Sequence, residues 1–182
     1  MNYTIRPAVV ADVPDVVDVA RLTWNATYAE SIAAHNRQQF LAYAYTTQAI
    51  QETITSKEGW FFVASQRERV VGFAHYLRRF DGQGELVRLY VHPDHQRQGI
   101  GSSLLAAGSL AMTCAGISRC YVSVETSNGP ARAFYERCGF QEHREYGYFF
   151  GDQIIRLVEY TASISRLLSA PGVMETAKRL RE

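Results

Sequence analysis

The chain lacks any large surplus of charge of one sign. Nineteen Lys and Arg stand against eighteen Asp and Glu, a net charge of +1 over 182 residues. A field that weak does not hold nucleic acid or an anionic membrane. Neither is expected as a partner, and recognition has to be local. Long apolar runs are missing too; none approaches the roughly 20 residues that span a bilayer. Cysteine is scarce: Cys114, Cys120 and Cys138 are odd in number and lack metal-ligand spacing, so no metal is expected. With no secretory signal at the N-terminus they read as reduced thiols, and the expected location is the cytoplasm. Internal repeats, low-complexity tracts and interdomain linkers are absent as well. What is present is an ordinary globular balance, 47% hydrophobic and 20% charged, in a length that suits one domain with a substantial core.

Hydrophobic periodicity orders that domain. A short strand over Tyr3 to Ala8 leads into a helix opened by Asp12, Pro14 and Asp15, with Val13, Val16, Val17, Ala20 and Trp24 at helical spacing to about Tyr28. A second helical stretch runs from Arg37 to about Lys57, with a break near "YTT". Aromatic and β-branched runs at Trp60–Ser65, Arg69–Leu77 and Glu85–Val91 read as three strands. Strict alternation in the third sets Glu85, Val87, Leu89 and Val91 on one face and Leu86, Arg88 and Tyr90 on the other. A helix closed by Gly116, the strand Cys120–Glu125, a short helix from Asn128 to Arg137 closed by Gly139, and a hairpin around Gly151-Asp152 follow. This β-α-α-β-β-β-α-β-α-β-β order predicts an α/β fold with a mixed sheet and helices on its faces. Residues 1–160 form the expected domain; residues 161–182 lie outside the pattern, as a helical appendage or a disordered end.

Two stretches carry chemistry. "QRQGIG", Gln96 to Gly101, follows a strand and opens a helix. It lacks the further glycine of the dinucleotide pattern and the Lys-Ser/Thr of a nucleotide-triphosphate loop. Glycines at 99 and 101 remove the Cβ atoms that would keep a pyrophosphate from the backbone amides of a helix N-terminus. On its own the stretch reads equally well as a plain glycine turn. In "NGPARAFYERCGF", Asn128 and Tyr135 are seven residues apart, on one face of the short helix; alone, such a tyrosine is as a rule a packing residue.

Taken together, "LVRLYVHPDHQRQGIGSSLL", "NGPARAFYERCGF" and "RVVGFAHY" resemble the Gcn5-related N-acetyltransferase (GNAT) superfamily over about Tyr3 to Tyr160. The loop fits that family's Gln/Arg-x-x-Gly-x-Gly/Ala pattern through Gln96, Gly99 and Gly101. The resemblance implies a mostly antiparallel twisted sheet, splayed in the middle, with helices on both faces. It implies acetyl transfer from acetyl-coenzyme A to an amine, in a ternary complex and without a metal. Leu89, Tyr90 and Val91 would then offer backbone groups to the pantetheine arm, with Asn128 on its other side. Gln96 would open the loop, and the amides of Arg97, Gln98, Gly99, Ile100, Gly101 and Ser102 would hold the pyrophosphate. Tyr135 would contact the cofactor and protonate the departing sulfur. Glu85, 14 positions before Gly99, has the offset of the glutamate base in histone-type members; a solvated strand residue and a water chain are the other readings.

For the acceptor, Trp24 and Tyr28 with Tyr146 and Tyr148 fall in regions that border the acceptor site in this family. Aromatic walls hold cations by their faces, and "RLTWNATY" with "FLAYAY" is similar to the polyamine-acetylating branch. No acidic run offers itself to a lysine-rich protein tail. The expected partner is a small-molecule amine. The alternatives are a protein N-terminal or lysine acetyltransferase and, in another class, a non-catalytic acyl-coenzyme A sensor. A homodimer is left open.

Overall fold

The computed structural model describes residues 2–181. A short strand, β1 (Thr4–Pro7), precedes α1 (Val13–Thr27). Asp12 stands at the N-cap of α1, but its side chain makes no cap bond. Its carboxylate instead accepts two 2.7 Å bonds from the Arg6 guanidinium and one from the Val9 amide. A bidentate charged donor outbids a neutral amide. The second helical stretch is two helices, α2 (Ala34–Ala44) and α3 (Thr47–Thr55). Between them Thr46 caps α3 by accepting from the Ala49 amide at 3.0 Å.

Strands β2 (Gly59–Gln66), β3 (Arg69–Arg78) and β4 (Gly84–Val91) form an antiparallel meander. Then come α4 (Ile100–Cys114), β5 (Arg119–Glu125), α5 (Gly129–Arg137) and a hairpin of β6 (Gln141–Phe150) and β7 (Gln153–Ser163). The chain ends in α6 (Ile164–Ser169) and α7 (Pro171–Arg179). The seven strands lie in the order β1-β2-β3-β4-β5-β7-β6. Every neighbouring pair is antiparallel except β4 with β5. That parallel pair is joined only at Gly84↔Cys120 and Glu85↔Tyr121. Beyond Glu85 the two strands part, and the sheet opens into a fork.

One face of the sheet packs α4 to α7 through Leu86, Leu104, Leu105, Met112, Leu167 and Val173; the other packs α1 to α3 through Val16, Trp24, Tyr45, Ile50 and Phe73. Strict alternation along β4 fails at one point. His75 pairs with Arg88 but Tyr76 with Leu86, so Val87 bulges out of the ladder. The extra residue brings Leu86 to the α4 face together with Leu89 and Val91. Arg88 and Tyr90 turn towards the α1 face, where Arg88 lies over Tyr45 and Tyr90 packs with Phe73.

Gly108 of α4 has a steric reason to be glycine. A Cβ there would stand 2.2 Å from the ring of Tyr76, which is fully buried and whose hydroxyl donates to the Leu104 carbonyl at 3.1 Å. Gly108→Ala is expected to destabilise the fold. Overpacking costs about 1–3 kcal/mol, more than the roughly 1 kcal/mol that alanine gains over glycine inside a helix. Urea unfolding reads this as a lower midpoint at unchanged slope; a raised midpoint contradicts it.

Candidate active site

The fork produces the cleft. With β5 gone beyond Glu85, one edge of β4 has no strand beside it, and its backbone groups alternate in direction. The His92 amide donates to the Val71 carbonyl on β3 at 2.9 Å. The same register turns Tyr90 and Arg88 backbone groups to β3, and those of Leu89 and Val91 into the fork. The Val91 carbonyl already accepts from the Gln96 side chain at 3.1 Å, which braces the following loop. Leu89 and Val91 therefore present an open strand edge to whatever lies in the cleft.

A cleft of about 980 Å³ passes through the fork. At one end stands the glycine loop. Arg97 has φ 60° and Gly99 φ 83°, two residues with positive φ on either side of Gln98. The Gln96 amide donates to Pro93 and the Ser103 amide to Gly99, but the amides from Arg97 to Ser102 find no acceptor among the described residues. Together with the positive end of α4 they form an anion nest. Gly101 also lets α5 close on α4, since a Cβ there would meet the Phe134 ring at 3.3 Å. Arg137 and the first turn of α7, Pro171 to Val173, line the same end. Neither was apparent from the sequence: α7 reaches the cleft only through packing on α4, and no local motif announces it.

At the middle of the cleft, Tyr135 projects from α5. It is 6% exposed, and its hydroxyl has no hydrogen-bond partner among the described residues. Burial, with Tyr28 and Tyr90 adding to it, pushes its phenol well above the ordinary value. Asn128 caps α5 by accepting from the Ala131 amide at 3.2 Å. Its amide faces Tyr28, whose phenol is also raised, chiefly by burial and by Tyr90. Thr23 and Thr27 of α1, Tyr28 just past its end and Ser123 of β5 close the other end. There the Ser123 hydroxyl is 2.9 Å from that of Tyr146.

The remaining expected residues lie elsewhere. Trp24 is 6% exposed and packs between Tyr28, Phe40 and Phe150, donating to the Tyr90 hydroxyl at 3.1 Å; it supports the cleft wall from behind. Tyr148 is 50% exposed on β6 and does not line the cleft. Glu85 sits where β4 and β5 are still paired, at the closed base of the fork and outside its lining. The Gln98 side chain turns away to the Asp94 carbonyl. Among the described residues no group of three or more His, Cys, Asp or Glu is placed to hold a metal, and no helix is long and apolar enough to cross a membrane.

Known proteins share these features. A family model described as an acetyltransferase (GNAT) domain matches residues 57–142. A spermidine N(1)-acetyltransferase of Thermoplasma acidophilum is 26% identical over 145 residues, which cover 78% of this chain and 89% of that one. A mycothiol acetyltransferase of Clavibacter michiganensis is 31% identical over 119 residues, covering 65% of this chain and 39% of its own length. The crystal structure of PaiA N-acetyltransferase from T. acidophilum in complex with coenzyme A has a TM-score of 0.77 at 24% identity, covering 87% of this chain and 98% of that one. That last likeness shows the fold: a mostly antiparallel sheet with flanking helices. Residues 57–142 thus match an acetyltransferase (GNAT) domain, and the family model, the curated relatives and the shared fold together support an acetyl-coenzyme A-dependent N-acetyltransferase.

Proposed function

We propose that the protein acetylates a primary amine of a small molecule, by direct attack of the amine on the acetyl thioester in a ternary complex. The observation that carries this reading is the through-going cleft, with an amide nest at one end and an unpartnered phenol midway. The nest from Arg97 to Ser102 suits the diphosphate of acetyl-coenzyme A. The open edge at Leu89 and Val91 suits the amide-bearing arm, and Asn128 faces it across the fork. The Val91 N–H donates to the oxygen on which charge develops as the amine attacks. Tyr135 gives its proton to the departing sulfur.

The match in acidity is kept by burial itself. The Tyr135 phenol is raised, but so are thiols in the same surroundings: burial pushes Cys138 up to about 11 and Cys120 up to about 12. A thiolate leaving into such a dry site is a stronger base than in water, so the phenol remains a competent donor. Glu85 lies too deep in the paired part of the fork to reach the cleft by its own lining contacts, which favours a water chain as the route for the amine's proton. The spermidine acetyltransferase relative supports a small amine as acceptor.

A thiol-release assay with amines, polyamines, amino acids and lysine peptides tests the reading. Turnover is expected on small primary amines. Turnover confined to peptides would favour a protein acetyltransferase. Acetyl-coenzyme A binding with no turnover on any acceptor would favour a sensor.

A further inference from the structure

Arg88 has no ion-pair or hydrogen-bond partner among the described residues. The Val87 bulge turns it to the α1 side of the sheet; its neighbours Val87, Leu89 and Tyr90 line the cleft, and Arg88 itself lies just outside that lining. Its guanidinium carbon lies 4.9 Å from the centroid of the Tyr45 ring, a residue 1% exposed. Among the described residues it makes no ion pair, and its Nη1 is buried without an acceptor. On β3, directly across the ladder, stands His75, 6% exposed, with its Nδ1 likewise buried and unpartnered. Burial, helped by the Arg88 charge, lowers the imidazole to about 3, so His75 is neutral and carries no anion or cation of its own.

The buried or partly buried acids of the fold are committed elsewhere. Asp12 pairs with Arg6, Asp15 with Arg69 and the Val70 amide, and Glu159 with Arg79 and Arg144. Glu125 accepts from the Ser127 hydroxyl. Glu85, three residues back on β4, forms no ion pair with Arg88. Buried donors without acceptors are rare and costly. A partly buried guanidinium without an anion, across the ladder from an unpartnered imidazole nitrogen, suits an acceptor supplied from outside.

We propose that Arg88 holds a carboxylate of the acceptor, so that the amine acetylated is an amino acid or a similar amino-carboxylate rather than a polyamine. The assignment rests on the small-amine reading above. The planar guanidinium fork matches a planar carboxylate, and Tyr45 fixes the plane from beneath. Neutral His75 can donate one further hydrogen bond to the same group. A single cation balances a single negative charge; a phosphate dianion would be left half compensated. A polyamine would bring more positive charge against Arg88 and leave Nη1 unsatisfied.

Matched acceptors test this in the full-length protein: amino acids against their α-amides, with spermidine alongside. Replacing carboxylate by amide is expected to lower kcat/KM roughly ten- to hundredfold, mainly through KM. In Arg88→Met the ratio between the two substrates should fall towards one, and Arg88→Lys should recover only part of it. Equal use of acid and amide by the wild type, a preference for spermidine, or a ratio that survives in Arg88→Met overturns the proposal. Should no amine be turned over, thermal-shift titration with N-acetyl amino acids in the presence of coenzyme A decides independently. An upward shift in wild type that Arg88→Met abolishes supports recognition even where the catalytic reading fails; no shift in wild type overturns it.

Discussion

Tyr135→Phe is expected to lower kcat by about two to four orders of magnitude while acetyl-coenzyme A binds as before. The ring of Tyr135 belongs to the core that α5 shares with Phe134 and Phe140, and phenylalanine keeps that packing. Only the hydroxyl is lost, and it makes no hydrogen bond among the described residues. Stability should therefore hold, since the hydroxyl opens on the cleft and its removal leaves no buried group unpaired. A proton delivered only as the thiolate departs stabilises the transition state and not the bound substrates. Accordingly kcat and kcat/KM should fall together, with KM little changed. Steady-state thiol release, calorimetric titration with acetyl-coenzyme A and thermal unfolding measure the three quantities separately. A kcat like that of wild type would remove Tyr135 from the mechanism.

Gly99→Val should weaken acetyl-coenzyme A binding roughly ten- to hundredfold. Gly99 is the N-cap of α4 with φ 83° and ψ −2°, a left-handed conformation in which a β-branched residue is strained by about 1–3 kcal/mol. The loop escapes that strain only by moving its amides, and those amides are the nest. Gly82 supplies the comparison. It too has positive φ, 78°, with open space around it, but it lies in the turn between β3 and β4, away from the cleft. Gly82→Val should cost similar stability and leave the cofactor Kd untouched. Equal affinities for Gly99→Val and wild type would sink the nest as the diphosphate site.

What could be read in advance was local. The strand-loop-helix around Gly99, the α5 helix with Asn128 at its cap, and the closing glycines Gly116 and Gly139, with φ 72° and 97°, follow from residue type and short spacing. The fold class followed from the order of those elements. The bulge at Val87 was not legible, because it arises from the register that β3 imposes on β4 across the Tyr76–Leu86 pair. Trp24 and Tyr28 illustrate the same limit. Four residues apart, on α1 and at its C-cap, both looked like acceptor-site aromatics, yet Phe40 and Phe150 cover the first and leave the second at the cleft. Which one is covered depends on a helix and a hairpin distant in the chain.

The sequence by itself determined the amide nest proposed to hold the donor, since a run of free amides needs only glycines at set intervals and a helix to follow. The tertiary structure alone decided the rest: where the fork opens, that α7 reaches the cleft, and that Arg88 stands without an ion-pair partner among the described residues. Those depend on long-range strand pairing and packing, in which one extra residue at Val87 sets the face on which its neighbours lie.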